Sequence, residues 1–211
     1  MQTQMAAGGG SMMDRLMGVI TLKAPTYREI ADDKTATMSA ALIVVVATLV
    51  SGFFTALVQT DPTTGTITAN PVIGVIGAIV GVVAGLIGWA VGAWILAFVA
   101  KSFFQGKTDT GEMLRVTGYV HIFNIVGVLS VLSLASVALA CVVGLISFVV
   151  AILRLIGYVI GVREAAEFST TNAVITAIIA AIVEFLIVAV ITGVVLGAVI
   201  LAMGVGRAAG G

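Results

Sequence analysis

Four polar or ionisable side chains lie inside long apolar runs and could do chemistry there: His121, Asn124, Arg154 and Glu184. An ionisable group in hydrocarbon is costly and calls for a reason. Counted inward from the nearest charged flank at ~1.5 Å per residue, His121 and Asn124 stand about 12 and 17 Å deep, Arg154 about 9 Å and Glu184 about 18 Å. All four can share the inner half of a bilayer as one intramembrane polar cluster. Three chemistries fit. Glu184 could carry a proton or ion, with His121 or Arg154 as partner. The same groups could be structural glue, with Glu184 kept neutral by burial or paired with Arg154. His121 could also ligate a pigment or haem, because imidazole is the usual ligand. A lone intramembrane histidine is more often a hydrogen-bonded packing residue, so no cofactor is expected.

Outside that cluster the signals for catalysis and metal binding are missing. Cys141 is the single cysteine and His121 the single histidine, so no metal-binding run exists. There is no G-x-S-x-G, no HExxH and no glycine loop ahead of a Lys-Ser/Thr pair. The chain is read as a non-enzyme. Its formal net charge of zero implies no nucleic-acid partner.

The elements that must position these groups follow from hydropathy. Of 211 residues, 60% are hydrophobic and 9% charged, against ~25% charged in soluble domains. The mean hydropathy is +1.22. Such a chain cannot meet water on its outer face, and its apolar blocks have the ~20-residue length of a membrane span. The expected fold is an all-α integral membrane bundle of five transmembrane helices behind a short amphipathic arm. Residues 1–11 form a flexible lead with no cleavable-signal pattern, which leaves targeting to the first span. Residues 12–37 form an interfacial arm. There, an amphipathic stretch over 12–22 ends at Pro25, and Thr26 caps a second short helix over 27–33 with Glu29 in the capping-box position. The bundle covers 38–205, with spans near 38–58, 72–98, 113–135, 137–160 and 172–203, and a tail over 206–211. Residues 59–71 carry turn chemistry.

Lysine and arginine placement orients the bundle. Arg15, Lys23, Arg28 and Lys34 precede the first span, Lys101, Lys107 and Arg115 fall in or beside the second loop, and Arg163 lies in the fourth. The positive-inside rule then puts the N-terminus in the cytoplasm and the C-terminus outside. Splitting the last span would give six crossings and put Arg207 inside.

The second span carries Gly74, Gly77, Gly81, Gly85, Gly88 and Gly92 at steps of three and four, which is one helix stripe. Such stripes let two backbones approach closely. The partner helix can belong to the same chain or to a second copy. Gly157 with Gly161, and Gly193 with Gly197, are shorter versions.

Three segments carry a family resemblance. They are Met13-Asp14-Arg15-Leu16 with Lys23-Ala24-Pro25-Thr26-Tyr27-Arg28-Glu29-Ile30, then Gly106-Lys107 with Glu112-Met113-Leu114-Arg115-Val116-Thr117-Gly118-Tyr119, and finally Gly161-Val162-Arg163-Glu164-Ala165 with Ser169-Thr170-Thr171-Asn172-Ala173. In order and spacing the chain resembles the Yip family of five-span proteins, named for interaction with Ypt/Rab GTPases, in a prokaryotic form. The resemblance implies five spans and a cytoplasmic N-terminus. It does not carry the eukaryotic trafficking role. The proline expected four residues after the tyrosine of the Gly-Tyr pair is replaced by Phe123, and of the family's long cytosolic N-terminal region with its acidic Leu-Tyr-Gly-Pro motif only Pro25 remains. The leading expectation is a scaffold or accessory protein of the prokaryotic cytoplasmic membrane, acting on lipid, a membrane-protein partner or a second copy of itself. The others are a small transporter or channel built on the Glu184 cluster, and an accessory subunit of an energy-converting membrane complex.

Overall fold

The computed structural model describes residues 10–61, 63–183 and 186. Two short helices, α1 (Met12–Ile20) and α2 (Ala24–Asp32), precede the long α3 (Ala36–Leu57). A two-stranded hairpin, β1 (Val58–Thr60) and β2 (Ile67–Ala69), leads to α4 (Pro71–Phe104). The next crossing has two parts, α5 (Thr110–Val120) and a 3₁₀ helix, α6 (His121–Leu134). Then come α7 (Val137–Ala166) and α8, described over Thr170–Val183. Among the described residues, four segments are long and apolar enough to cross a membrane: α3, α4, α5 with α6, and α7. The expected fifth span, beyond Val183, and the Gly193/Gly197 pair lie outside the described residues. The molecule is an all-α membrane bundle with one small hairpin at a helix–helix connection.

Each boundary has a local cause. Ser11 and Asp14 form a reciprocal capping box at the start of α1. Asp61 Oδ1 accepts from the Thr63 and Thr64 amides at 2.7 and 2.9 Å, and Gly65 supplies the positive φ of the hairpin turn. The region expected as plain turn chemistry therefore holds paired strands, Val58 opposite Ala69 and Thr60 opposite Ile67. Asn70 caps α4 and Pro71 occupies its first turn, where a missing N–H costs nothing. α4 runs past residue 98 to Phe104, so Lys101 sits in its last turn rather than in a connector. It ends where Gln105 turns left-handed ahead of Gly106. Asp109 caps α5, and Ser136 caps α7 in the tight turn expected near 134–136. α7 likewise extends beyond residue 160, to Ala166.

Four glycines of α4 face α3. A methyl group added at Gly77 would overlap Ala56 Cβ and come within 2.7 Å of the Gly52 carbonyl oxygen. One at Gly81 would lie 3.0 Å from the Thr48 carbonyl oxygen, and one at Gly85 would meet the Thr48 side chain. Gly74 faces Phe53. Small residues on both helices thus allow close backbone approach where lipid offers no hydrophobic drive for association. The Gly157/Gly161 pair serves a different purpose. It receives the Tyr27 ring of α2, with Phe123 of α6 and Val116 of α5 beside it.

That contact defines the arm. Val19, Tyr27, Ile30 and Ala31 are fully buried in the same core as Leu96, Met113, Val116 and Val162. The arm is packed on the bundle: α2 is wedged against α5 and α7 at the end where most charges gather. The expected break at Pro25 and cap at Thr26 are corrected. α2 starts at Ala24 with Pro25 in its first turn, Thr26 packs on Gly18, and Glu29 binds Arg15 instead of capping.

A Gly77→Val chain should lose about 1–3 kcal/mol of stability through overpacking between α3 and α4. Gly144→Ala, where an added methyl meets nothing within 4 Å, should be neutral or stabilising. Thermal unfolding in one detergent compares the two.

Candidate functional site

α6 has an unusual length for its type, 14 residues of 3₁₀ helix where three or four are common. At 3.0 residues per turn, residues three apart eclipse one another. His121, Asn124, Gly127, Ser130 and Ser133 recur at that spacing. In an α-helix each step of three would slip by about 60° and wind these residues around the rod. In a 3₁₀ helix they form one straight polar stripe. The stripe runs along α3. Gly127 lies against Ser51, whose Cα would be 3.0 Å from an added Cβ, and Ser130 Oγ donates to the Phe54 carbonyl at 2.7 Å.

The upper part of this stripe opens onto a cavity of about 720 Å³. His121, Asn124 and Gly127 line it from α6, Ser51 and Thr55 from α3, and Thr117 from α5. α7 contributes Ser147, Ala151, Arg154 and Tyr158, at the i, i+4, i+7, i+11 spacing of one helix face. Gly88 and Gly92 of α4 line it with Trp89, whose indole N–H donates to the Leu114 carbonyl at 2.9 Å. The structure therefore brings His121, Asn124 and Arg154 to the wall of one cavity. Glu184 lies outside the described residues. Among the six glycines of α4, Gly74 to Gly85 meet α3 and the last two meet the cavity.

Hydrogen bonding sets the state of His121. Its Nδ1 lies 2.8 Å from the Thr117 carbonyl oxygen, which can only accept, so Nδ1 carries a proton and Nε2 is the ring nitrogen left for other partners. Thr117 Oγ1 is committed to the Met113 carbonyl at 2.6 Å. Arg154 is exposed and makes no ion pair among the described residues. No cluster of three or more His, Cys, Asp or Glu side chains able to hold a metal occurs among the described residues.

A second polar constellation, which the sequence reading did not assemble, fixes the arm at the charged end. Arg15, only 6% exposed, reaches Asp33 at 2.6 Å and Glu29 at 3.1 Å. Arg28 pairs with Asp32 and Glu167 and donates to the Glu164 carbonyl at 2.9 Å. Arg115, also 6% exposed, donates from two nitrogens to the Ala31 carbonyl at the end of α2. Hydrogen bonds from Thr35 and the neighbouring Arg15 guanidinium hold the Asp33 carboxyl at about 2, below its usual 3.8. The one sequence signal for this set was the i, i+4 pair Arg28–Asp32. The long-range partners come only with the fold.

A polytopic helical bundle with an arm keyed into one end and a polar cavity between its helices is the class of protein these features define. The family model of the Yip1 domain matches residues 17–192, and the chain belongs to the Yip family. No curated protein and no solved structure matches it.

Two outcomes are expected. In a Cys141→Ser background, single cysteines placed along 121–133 should react with a water-soluble thiol reagent at a period of three, with maxima at 121 and 124. A period of 3.6 would mean an α-helical α6. Because the Asp33 carboxyl is depressed in the folded state, its contribution to arm docking is complete above 3.8 and is lost as pH falls through about 2. Hydrogen exchange in α2 should rise over that window, and in Asp33→Asn the added exchange should already be present at neutral pH.

Proposed function

We propose that the chain is a non-enzymatic scaffold or accessory protein of a prokaryotic cytoplasmic membrane. It crosses five times, with the N-terminus inside and the C-terminus outside. The observation that carries this reading is the docked arm. α1, α2, the 105–109 connector and the end of α7 make one preassembled cytoplasmic platform: Arg15 ties α1 to Glu29 and Asp33 of α2 and its cap, Arg28 ties α2 to Glu167, and Arg115 of α5 holds the Ala31 carbonyl and so joins the platform to the bundle. The platform presents exposed Lys23, Lys34, Lys101 and Lys107 beside the uncovered Met13, Met17 and Ile20 of α1. Lysines on this side favour the cytoplasmic orientation. The apolar stripe beside them suits the headgroup boundary or the apolar face of a membrane-protein partner.

The polar cavity favours a second reading, a small transporter or channel that uses His121, Asn124 and Arg154 together with Glu184. Proteoliposome flux that is unchanged by both His121→Ala and Glu184→Gln would remove that reading.

For the scaffold, gentle solubilisation of native membranes should yield the chain with a stoichiometric membrane-protein partner. Arg15→Ala, which frees Asp33 and Glu29 and loosens the arm, should reduce that partner several-fold while the bundle itself persists. A lone protomer in both preparations would contradict the platform.

A further inference from the structure

The cavity between α3, α6, α7 and α8 has the size of a ligand site and an uneven supply of hydrogen-bonding groups. Ligand pockets commonly measure about 300–1,000 Å³, and this one measures about 720 Å³. Its polar wall is rich in donors. Arg154 carries five N–H groups and cannot lose its charge. The Asn124 amide and the hydroxyls of Thr55 and Ser147 can each turn a donor toward a ligand while also able to accept, and His121 Nε2 is an acceptor. No carboxylate lines the cavity among the described residues, so Arg154 is its one donor-only, charged group there. The rest of the wall is hydrocarbon and ring surface from Trp89, Phe123 and Leu155. Donors around one guanidinium, next to apolar walls inside a membrane, complement a ligand with an acceptor-rich anionic head and an apolar tail.

We infer that this cavity binds an anionic amphiphile, with its phosphate or carboxylate head on Arg154 and Asn124 and its chain along Trp89 and Phe123. Arginine suits this role because its planar fork pairs with two oxygens of one head at once. α6 makes the site possible. The three-residue repeat sets Asn124 directly beside His121 on the stripe, and Gly127, without a side chain, keeps the stripe close to α3. The inference stands apart from the platform. A chain that captures no protein partner can still fill this cavity, and the two experiments fail separately.

Trp89 is the reporter, because the chain has two tryptophans and Trp94→Phe leaves one. The Trp94→Phe chain is reconstituted in phosphatidylcholine vesicles containing a small, varied fraction of phosphatidylglycerol with brominated acyl chains. Trp89 quenching should saturate far below the fraction that random lipid mixing requires. Adding Arg154→Gln should weaken the apparent affinity by at least about tenfold, whereas Arg154→Lys, which keeps the charge and tests for misfolding, should retain most of it. Soluble glycerol phosphate distinguishes the sources of the head. Failure to compete assigns the site to a lipid, and full competition assigns it to a free phosphate monoester that uses the same donors. Two results would overturn the inference. One is equal quenching by brominated phosphatidylcholine. The other is quenching by phosphatidylglycerol that Arg154→Gln leaves unchanged, which would mean that the Arg154 charge is already neutralised within the chain, by Glu184 or another group.

Discussion

Arginine keeps its proton at any pH a cell experiences, so a guanidinium drawn away from water must find acceptors or destabilise the fold. At the charged end of this bundle Arg15 and Arg115 face that constraint, the half-buried Arg28 stands beside them, and each finds an acceptor in another segment. Arg15 of α1 takes the carboxylates of Glu29 and Asp33, Arg28 of α2 reaches Glu164 and Glu167 at the end of α7, and Arg115 of α5 takes the Ala31 carbonyl near the end of α2. Removing one partner would leave a buried charge behind, a cost of about 3–5 kcal/mol in well-enclosed cases. The arm, α5 and the end of α7 therefore form a single unit. Tyr27 completes it, entering the gap left by Gly157 and Gly161 and donating its hydroxyl to the Val19 carbonyl at 3.1 Å.

The other end of the molecule depends on closeness of backbones instead of charge. Gly52 of α3 and Gly77 of α4 bring two backbones into contact, and the hairpin between these helices is just long enough to return the chain. α6 then lies along α3 as a 3₁₀ helix. At about 2.0 Å per residue it covers more depth than an α-helix of equal length, and it turns a three-residue polar repeat into a straight stripe. The stripe is packed tight at Gly127 and Ser130 and opens at Asn124 and His121. That change along a single helix helps form the cavity, which His121, Asn124 and Gly127 line from α6 and Ser51 and Thr55 from α3.

Much of this architecture was legible in the sequence. The membrane-bundle class was readable because ~20-residue apolar runs leave few alternatives, and the turns before α4 and α7 because Asn70-Pro71 and Ser136 are local signals. The C-terminal ends of α4 and α7 were not, because both helices run on past 98 and 160 through polar residues. The glycine stripe could be placed on one helix face, though not assigned a partner. The arm was misjudged in its details for a physical reason. Pro25 both ends a helix and begins one, and only the packing of Thr26 on Gly18 and of Tyr27 on α7 decides which. His121, Asn124 and Arg154 could be set at similar depths by counting, but depth does not fix azimuth. Reading His121 to Leu134 with α-helical geometry hid the repeat of His121, Asn124, Gly127, Ser130 and Ser133, although its period of three stood in the sequence throughout. The pairing of Arg15 with Asp33 and of Arg115 with Ala31 had no local signature at all.

The central claim is that the arm is a fixed part of the bundle and not a segment resting on the membrane. Spin labels at Lys34→Cys and Lys107→Cys, both exposed positions on the charged end, in a Cys141→Ser chain reconstituted in lipid, test it by pulsed dipolar spectroscopy. One narrow distance distribution, unchanged by high salt because Tyr27 and Ile30 remain buried, is the predicted result. A broad distribution, or one that spreads as salt screens the ion pairs, would contradict it.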